Sequence, residues 1–208
     1  MAYRVGIIPA AGKAKRFGGV LKECLPMPGG TLIELAASRL PVDNVIVISR
    51  PEKISQHAEV LQGRAIFIVQ SGDNDIWSAI ESALRIEADY YYFTMPDTYM
   101  PDSSFMFAPK YSDFSLGLFD TNMPERFGVL QGGKVINKDC TVESPAKAWG
   151  AIVFSRKVRD YWLTCHIVDY THALNLAILA FGLETWELAY YYDISCMQDY
   201  MDLVRNHA

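Results

Sequence analysis

Residues Val5–Gly19 read VGIIPAAGKAKRFGG. Four apolar-run residues lead into Pro-Ala-Ala-Gly. Lys13, Lys15 and Arg16 then fall within four positions, and Gly18-Gly19 closes the stretch. A short apolar run bounded by turn residues predicts a buried strand over Val5–Pro9. The pattern returns in NVIVIS (Asn44–Ser49), AIFIV (Ala65–Val69) and DYYYFTM (Asp89–Met95). Helical patterns separate these runs. Thr31–Leu40 has Thr31 and Glu34 at capping-box spacing. Glu52–Leu61 follows, and in Asn74–Glu87 the residues Ile76, Ile80, Ala83 and Leu84 share one stripe. This β-α-β-α-β-α-β succession predicts a parallel sheet with helices on both faces. Strands that are apolar throughout suit a sheet covered on both sides.

The second half changes character. Phe114–Asp120, Phe127–Leu130 and Lys134–Asn137 read as short strands, with Gly132-Gly133 as a hairpin turn. Trp149–Ser155 is a further strand. Tyr170–Phe181 reads as a buried helix because apolar residues nearly encircle it, and Glu184–Tyr192 as a late strand. Ser195–Val204 predicts a last helix, with Ser195 and Gln198 at capping-box spacing. The expected fold class is α/β: a Rossmann-like mixed, mostly parallel sheet with a small β-rich lobe. One domain is expected over 1–208, divided into halves at 1–110 and 111–208.

A chain of 208 residues can bury one sizeable core. Half its residues are hydrophobic and 21% are charged, as in a globular rather than a disordered protein. A net charge of −5 argues against general affinity for nucleic acid, which needs a basic face. No apolar stretch is long enough to cross a bilayer, and no leader pattern opens the chain. The expectation is a cytoplasmic protein without a membrane partner; a homo-oligomer is left open. Cys24, Cys140, Cys165 and Cys196 form no CxxC pair, which suits reduced thiols rather than a zinc site.

Ligands of open parallel sheets bind beyond the carboxyl ends of the strands. The Pro9–Gly19 loop lies there. Gly12 allows a close backbone approach, Ala10, Ala11 and Ala14 leave backbone N–H groups uncovered, and Lys13, Lys15 and Arg16 can make charge-assisted bonds to phosphate. The loop has neither a G-x-G-x-x-G nor a G-K-[ST] ending; the alternative is a solvated basic loop. Asp97, in YYYFTMPDTYM, and Asp193, in ELAYYYDISCMQDY, each end a predicted strand and so can reach one site. Two carboxylates facing a triphosphate suit Mg²⁺, which binds through one or two protein oxygens plus phosphate oxygens and water. Either Asp alone reads equally well as a turn or cap residue.

AAGKAKRFGGVLKECLP resembles the signature loop of the sugar-1-phosphate nucleotidyltransferases, and IPAAG is similar to the opening of the cytidylyltransferases of isoprenoid synthesis. PERFGVLQGGKV (Pro124–Val135) resembles the family's P-E-[YF]-G-V segment, and YDISCMQDY its late D-I-G-T-P-E-D-Y segment. The chain departs from the family at Ala14, Lys15 and Leu21. Ser195-Cys196 replaces a Gly-Thr pair, Asp75-Ile76-Trp77 replaces a Gly-x-Ala, and Glu143-Ser144-Pro145 lacks the family's lysine. Trp77 reads more readily as a core residue than as a base platform.

The resemblance implies an Mg²⁺-dependent enzyme that joins a nucleoside triphosphate to a sugar 1-phosphate and expels pyrophosphate. It implies a nucleotide-binding first half and an acceptor-binding second half. Asp97 and Asp193 would hold Mg²⁺, Arg16 and Lys22 would act on the phosphates, and Ala10, Ala11, Gly12, Lys13 and Gln70 would bind the nucleotide. Gly128 and Glu143 would face the acceptor, with Lys147 nominated for the missing lysine. The alternatives are a cytidylyltransferase for a different phosphorylated acceptor, or a catalytically weak regulatory protein that binds sugar nucleotides.

Overall fold

A computed structural model describes residues 2–13, 17–70, 75–101, 103–138 and 141–207. Strand β1 (Arg4–Pro9) is followed by the short strands β2 (Pro26–Met27) and β3 (Gly30–Thr31) and by helix α1 (Leu32–Ser38). β4 (Asn44–Ser49), α2 (Pro51–Leu61), β5 (Ile66–Val69), α3 (Ile76–Ala83) and β6 (Tyr90–Thr94) complete the predicted alternation. Then come β7 (Thr98–Tyr99), β8 (Phe114–Thr121), β9 (Gly128–Gln131), β10 (Lys134–Asn137) and β11 (Ala146–Ser155). The chain ends with α4 (Arg156–Thr164), α5 (Tyr170–Phe181), β12 (Glu184–Glu187), β13 (Tyr192–Asp193) and α6 (Met197–His207).

Nine strands form one sheet, in the order β10-β9-β11-β6-β1-β4-β5, with β8 on β11 and β12 on β8. β1 is parallel to both β4 and β6, and β4 to β5. The path runs outward from β1 through β4 to β5, and α3 then carries it back across to β6. The loops leaving β1 and β6 therefore part in opposite directions. A crevice opens between them at the carboxyl edge, the topological switch point of an open α/β sheet.

Both faces are covered. Val5 and Ile7 share a core with Ile80 of α3, Trp162 of α4 and Leu174 of α5. Ile8 packs instead with Ile33 of α1 and Leu61 of α2. Trp77 lies in the first core, edge-on to Trp162 at 5.6 Å between ring centroids. The capping box of α1 is formed: Glu34 N donates to Thr31 Oγ1, and the Glu34 carboxylate accepts from Thr31 N.

The second half joins through β11, which runs antiparallel to β6, β8 and β9. Several sequence expectations change here. Residues 156–164 form α4, a helix not anticipated because its charged positions hide the inward pair Val158 and Trp162. α5 buries only one face, and Leu179 on the other is 84% exposed. The late strand stops at Glu187, and the chain pairs again only at Tyr192–Asp193. At the last helix the capping carboxylate is Asp199, which accepts from the backbone N of both Ser195 and Cys196. Gln198 reaches Asp202 instead.

Candidate active site

The switch-point crevice holds two adjoining clefts. The first, of about 170 Å³, is lined by Ala10, Ala11, Gly12, Lys22, Gln70 and Asp97, with Ile76 and Ala79 of α3. Trp77 points away into the core, so it does not fill this cleft. Gln70 follows β5, and its Nε2 donates to Ser78 Oγ at 2.6 Å. Lys13 is exposed. Arg16 lies outside the described residues.

Lys22, Asp97 and Asp193 are far apart in sequence and are stitched together by backbone. β13 pairs with β7, setting Asp193 against Thr98. Ile194 N donates to the carbonyl of Asp97 at 3.1 Å, and Lys22 Nζ donates to the carbonyl of Ile194 at 3.2 Å. Lys22 also forms an ion pair with Asp97 Oδ2. Asp97 Oδ1 is buried and, among the described residues, has no hydrogen-bond partner. Burial pushes the Asp97 carboxyl above the usual carboxylate range; Lys22 opposes the shift and the Asp193 carboxylate adds to it.

That orphaned oxygen is the test of whether a cation fits. A carboxylate oxygen without a donor is costly to bury, and a divalent ion would satisfy it. Among the described residues no cluster of three or more ligating side chains occurs. Asp97 and Asp193 would therefore share the ion with oxygens from a bound phosphate or water, as Mg²⁺ prefers. The residues fit the ion on these grounds.

Beneath the loop lies a network that sequence reasoning missed. Glu23 Oε1 accepts from Lys53 Nζ at 2.8 Å and lies 3.1 Å from His57 Nε2, while His57 Nδ1 lies 2.9 Å from Ser49 Oγ. All four residues are buried. Lys53 Nζ also reaches the carbonyl of Ala10 at 3.4 Å. Burial resists the charge on Glu23, but the bonds from His57 and Lys53 outweigh it and hold the carboxyl below its usual range. Ser49 and His57 have no exposed surface, so this serine–histidine–carboxylate line supports the loop rather than attacking a substrate. Burial pushes the neighbouring Cys24 thiol up to about 11, which keeps it protonated and unreactive.

The second cleft, of about 450 Å³, shares Lys22 and Asp97 with the first and adds Gly128, Asp193, Trp149 and Arg126. Its wall is the part of β11 that runs past the end of β6, since Ala151 is the residue paired with Thr94. A Cβ at Gly128 would overlap Trp149 Nε1, and one at Gly150 would overlap the Tyr191 ring. Gly128→Ala must therefore displace a buried indole. Overpacking of this kind costs about 1–3 kcal/mol, visible as a lower Tm.

Arg126, to which no role was given from sequence, lies at the mouth of this cleft. Its Nη2 donates to Asp193 Oδ2 at 2.9 Å and to Ser195 Oγ at 2.7 Å, with Asp199 Oδ2 at 3.5 Å. Burial opposes its charge, yet the Asp193 and Asp199 carboxylates raise its pKa further. The structure does not bring Lys147 to the cleft. Its ammonium is held by Glu187 at 2.8 Å and by Asp120 at 3.1 Å, which commits it to the β8–β12 edge. Glu143 is exposed and does not line either cleft.

Residues 6–106 match the MobA-like NTP transferase domain family. No curated protein matches the chain significantly in sequence. Solved structures do match. One is a Bacillus anthracis protein described as a glucose-1-phosphate thymidylyltransferase, in complex with sucrose: TM-score 0.85, 18% identity, covering 98% of this chain and 95% of that one. The inositol-1-phosphate CTP transferase from T. maritima superposes with TM-score 0.75 at 17% identity, over 96% and 92% of the two chains. The UTP-bound UGPase from Acinetobacter baumannii gives 0.76 at 14%, over 99% and 93%. The fold expected from the sequence resemblance is thereby borne out: residues 6–106 match an NTP transferase domain, and nearly the whole chain has the fold of these nucleotidyltransferase structures.

Proposed function

We propose that this chain, whose first half is an NTP transferase domain, is a nucleotidyltransferase that joins a nucleoside triphosphate to a sugar phosphate and releases pyrophosphate. One observation carries the reading: the buried, unpartnered Asp97 Oδ1, set with Asp193 and Lys22 where the two clefts meet. The first cleft suits the nucleotide. Ala10, Ala11, Gly12 and Gln70 border it, and Lys22 stands at its junction with the second. The second cleft, beside Gly128 and Trp149, suits the acceptor.

In this reading the acceptor phosphate oxygen attacks the α-phosphorus, and the bond to the β,γ-pyrophosphate breaks. Protein groups need make no covalent bond, because positioning and charge neutralisation dominate phosphoryl-type chemistry. Bound at Asp97 and Asp193, Mg²⁺ would neutralise charge on the reacting phosphates. Lys22, bonded to Asp97 and to the carbonyl of Ile194, steadies the α-phosphate. Arg16 belongs with the departing pyrophosphate. The Glu23–Lys53–His57 network holds the underside of the loop through the carbonyl of Ala10.

Lys22→Ala should weaken nucleotide binding or transfer by about ten- to a hundredfold, the size of one charge-assisted contact. Lys13→Ala, at an exposed position, should change either by less than threefold or so. Steady-state kinetics on both variants checks this, and equal small effects would mean a merely solvated basic loop. The function itself is tested by pyrophosphate release across the common nucleoside triphosphates and a panel of sugar and alcohol phosphates, with and without Mg²⁺. No release with any pair would favour a regulatory binding protein. Release confined to CTP with an alcohol phosphate would favour the cytidylyltransferase reading.

A further inference from the structure

The second cleft carries cations, set among the carboxylates of Asp97, Glu125 and Asp193, whose purpose the reading above leaves open. Besides Lys22 it presents Arg126, from the turn before β9, and Lys138, from the end of β10. Arg126 spends one nitrogen, Nη2, on all its carboxylate and hydroxyl contacts. Among the described residues its Nη1 reaches only the Met123 sulfur, at 3.9 Å. A guanidinium presents five donors in a flat fork that matches two phosphate oxygens at once. This one keeps most of its fork uncommitted and borders the acceptor cleft. It is not among the residues lining the nucleotide cleft.

Its partner matters as much. The carboxylate that Arg126 holds belongs to Asp193, one of the two residues that fit the divalent ion. An Arg bonded at 2.9 Å to Asp193 Oδ2 and a divalent cation on the same carboxylate are like charges side by side. The repulsion disappears if a phosphate dianion enters between them, taking the guanidinium on one side and the cation on the other.

We infer that Arg126 is the acceptor-phosphate residue and that it guards Asp193: it occupies the carboxylate until a phosphate monoester draws its guanidinium away, so that acceptor and divalent cation bind cooperatively. This rests on the nucleotidyl-transfer reading. Lys138 adds charge at the rim, and Ser195 and Asp199 define the resting position of the guanidinium. Lys147, tied to Asp120 and Glu187, has no part in it. Such coupling is reciprocal: whatever factor the phosphate adds to cation affinity, the cation adds to phosphate affinity.

The test uses the full chain and three binding measurements. Methyl phosphate serves as a phosphate monoester that no nucleotide site should prefer, Mn²⁺ serves as the cation read by electron paramagnetic resonance, and a nonhydrolysable nucleoside triphosphate analogue is the third ligand. In the wild-type protein, methyl phosphate should tighten Mn²⁺ binding. In Arg126→Met, methyl phosphate should bind about ten- to a hundredfold more weakly, the loss of one charge-assisted contact. Mn²⁺ alone should bind more tightly than to wild type, the coupling should vanish, and affinity for the triphosphate analogue should stay within about threefold. If Arg126→Met does not fold, Arg126→Lys carries the same test, because it keeps the charge and loses the fork; there the methyl phosphate affinity and the coupling should both fall.

Unchanged methyl phosphate affinity, or Mn²⁺ affinity that falls when Arg126 is replaced, overturns the proposal and leaves Arg126 a strut between the β8–β9 turn and α6. A loss confined to the triphosphate analogue overturns it too, by assigning the guanidinium to the nucleotide. Failure of the functional reading looks different: wild-type protein would release no pyrophosphate from any substrate pair, whatever these binding couplings show.

Discussion

Asp97→Asn should lower turnover by about two orders of magnitude or more while the protein stays as stable as wild type, or becomes more so. Activity falls because a charge positioned for the transition state is removed. Stability holds for a reason specific to this site. The Asp97 pKa is raised by burial, so its contribution to stability is fully present only below the ordinary value of 3.8 and is lost as pH rises through the raised one. At neutral pH the ionised carboxylate is therefore a cost, and the amide removes it. Lys22 loses its partner, but its side chain is 20% exposed and keeps the carbonyl of Ile194. Thermal melts without metal at neutral pH, beside turnover assays with Mg²⁺, separate the two effects. Asp193→Asn should lose turnover similarly. Near-normal Mg²⁺-dependent turnover in either variant would remove that residue from the site.

Glu23→Gln should have the opposite profile, with a large loss of stability. Glu23 and Lys53 side chains are 4% and 7% exposed, and His57 is sealed. The amide keeps an oxygen that can accept from Lys53 but takes away the charge that neutralises the buried ammonium, and breaking a buried pair from one side costs about 3–5 kcal/mol. The pH dependence carries the signature. The Glu23 pKa is lowered, so its contribution is fully present above the ordinary value of 4.5 and is lost as pH falls through the lowered one. Urea melts between neutral pH and pH 3 should show that acid-side loss in wild type and its near absence in Glu23→Gln. A variant of wild-type stability would mean that the network is water-relaxed and not a support for the loop.

The contrast between these two carboxylates explains how much could be read in the sequence. The parallel half was legible because its information is local. Val5–Pro9 and NVIVIS announce themselves by composition, and Thr31 with Glu34 marks the start of a helix. Asp97 was legible as an aspartate just past β6, where the carboxyl edge of a sheet can meet a ligand; Asp193 was expected at the end of a strand that stops at Glu187, and it comes beside Asp97 through the β13–β7 pair instead. Where α4 stands, charged residues masked the inward-facing pair. The capping residue of α6 was misjudged by one position, Gln198 for Asp199, because both spacings suit a helix start. Glu23, Ser49, Lys53 and His57 carry no shared motif, and only folding brings them together. The sequence resemblance pointed to Lys147 for the acceptor, but register pairs it across strands with Asp120 and Glu187. Arg126 took its place at the cleft through a contact 67 residues long, which no local pattern encodes.

The central claim is that the acceptor phosphate attacks the α-phosphorus of a nucleoside triphosphate in this crevice. Its most direct test follows oxygen. An active substrate pair would be run with the acceptor phosphate fully labelled with ¹⁸O, and the products read by ³¹P NMR and mass spectrometry. The account predicts that the label appears in a sugar-linked nucleoside diphosphate, including its bridging oxygen, and that the released pyrophosphate carries none. Label in pyrophosphate or in inorganic phosphate, or a nucleoside monophosphate formed without transfer, would contradict it.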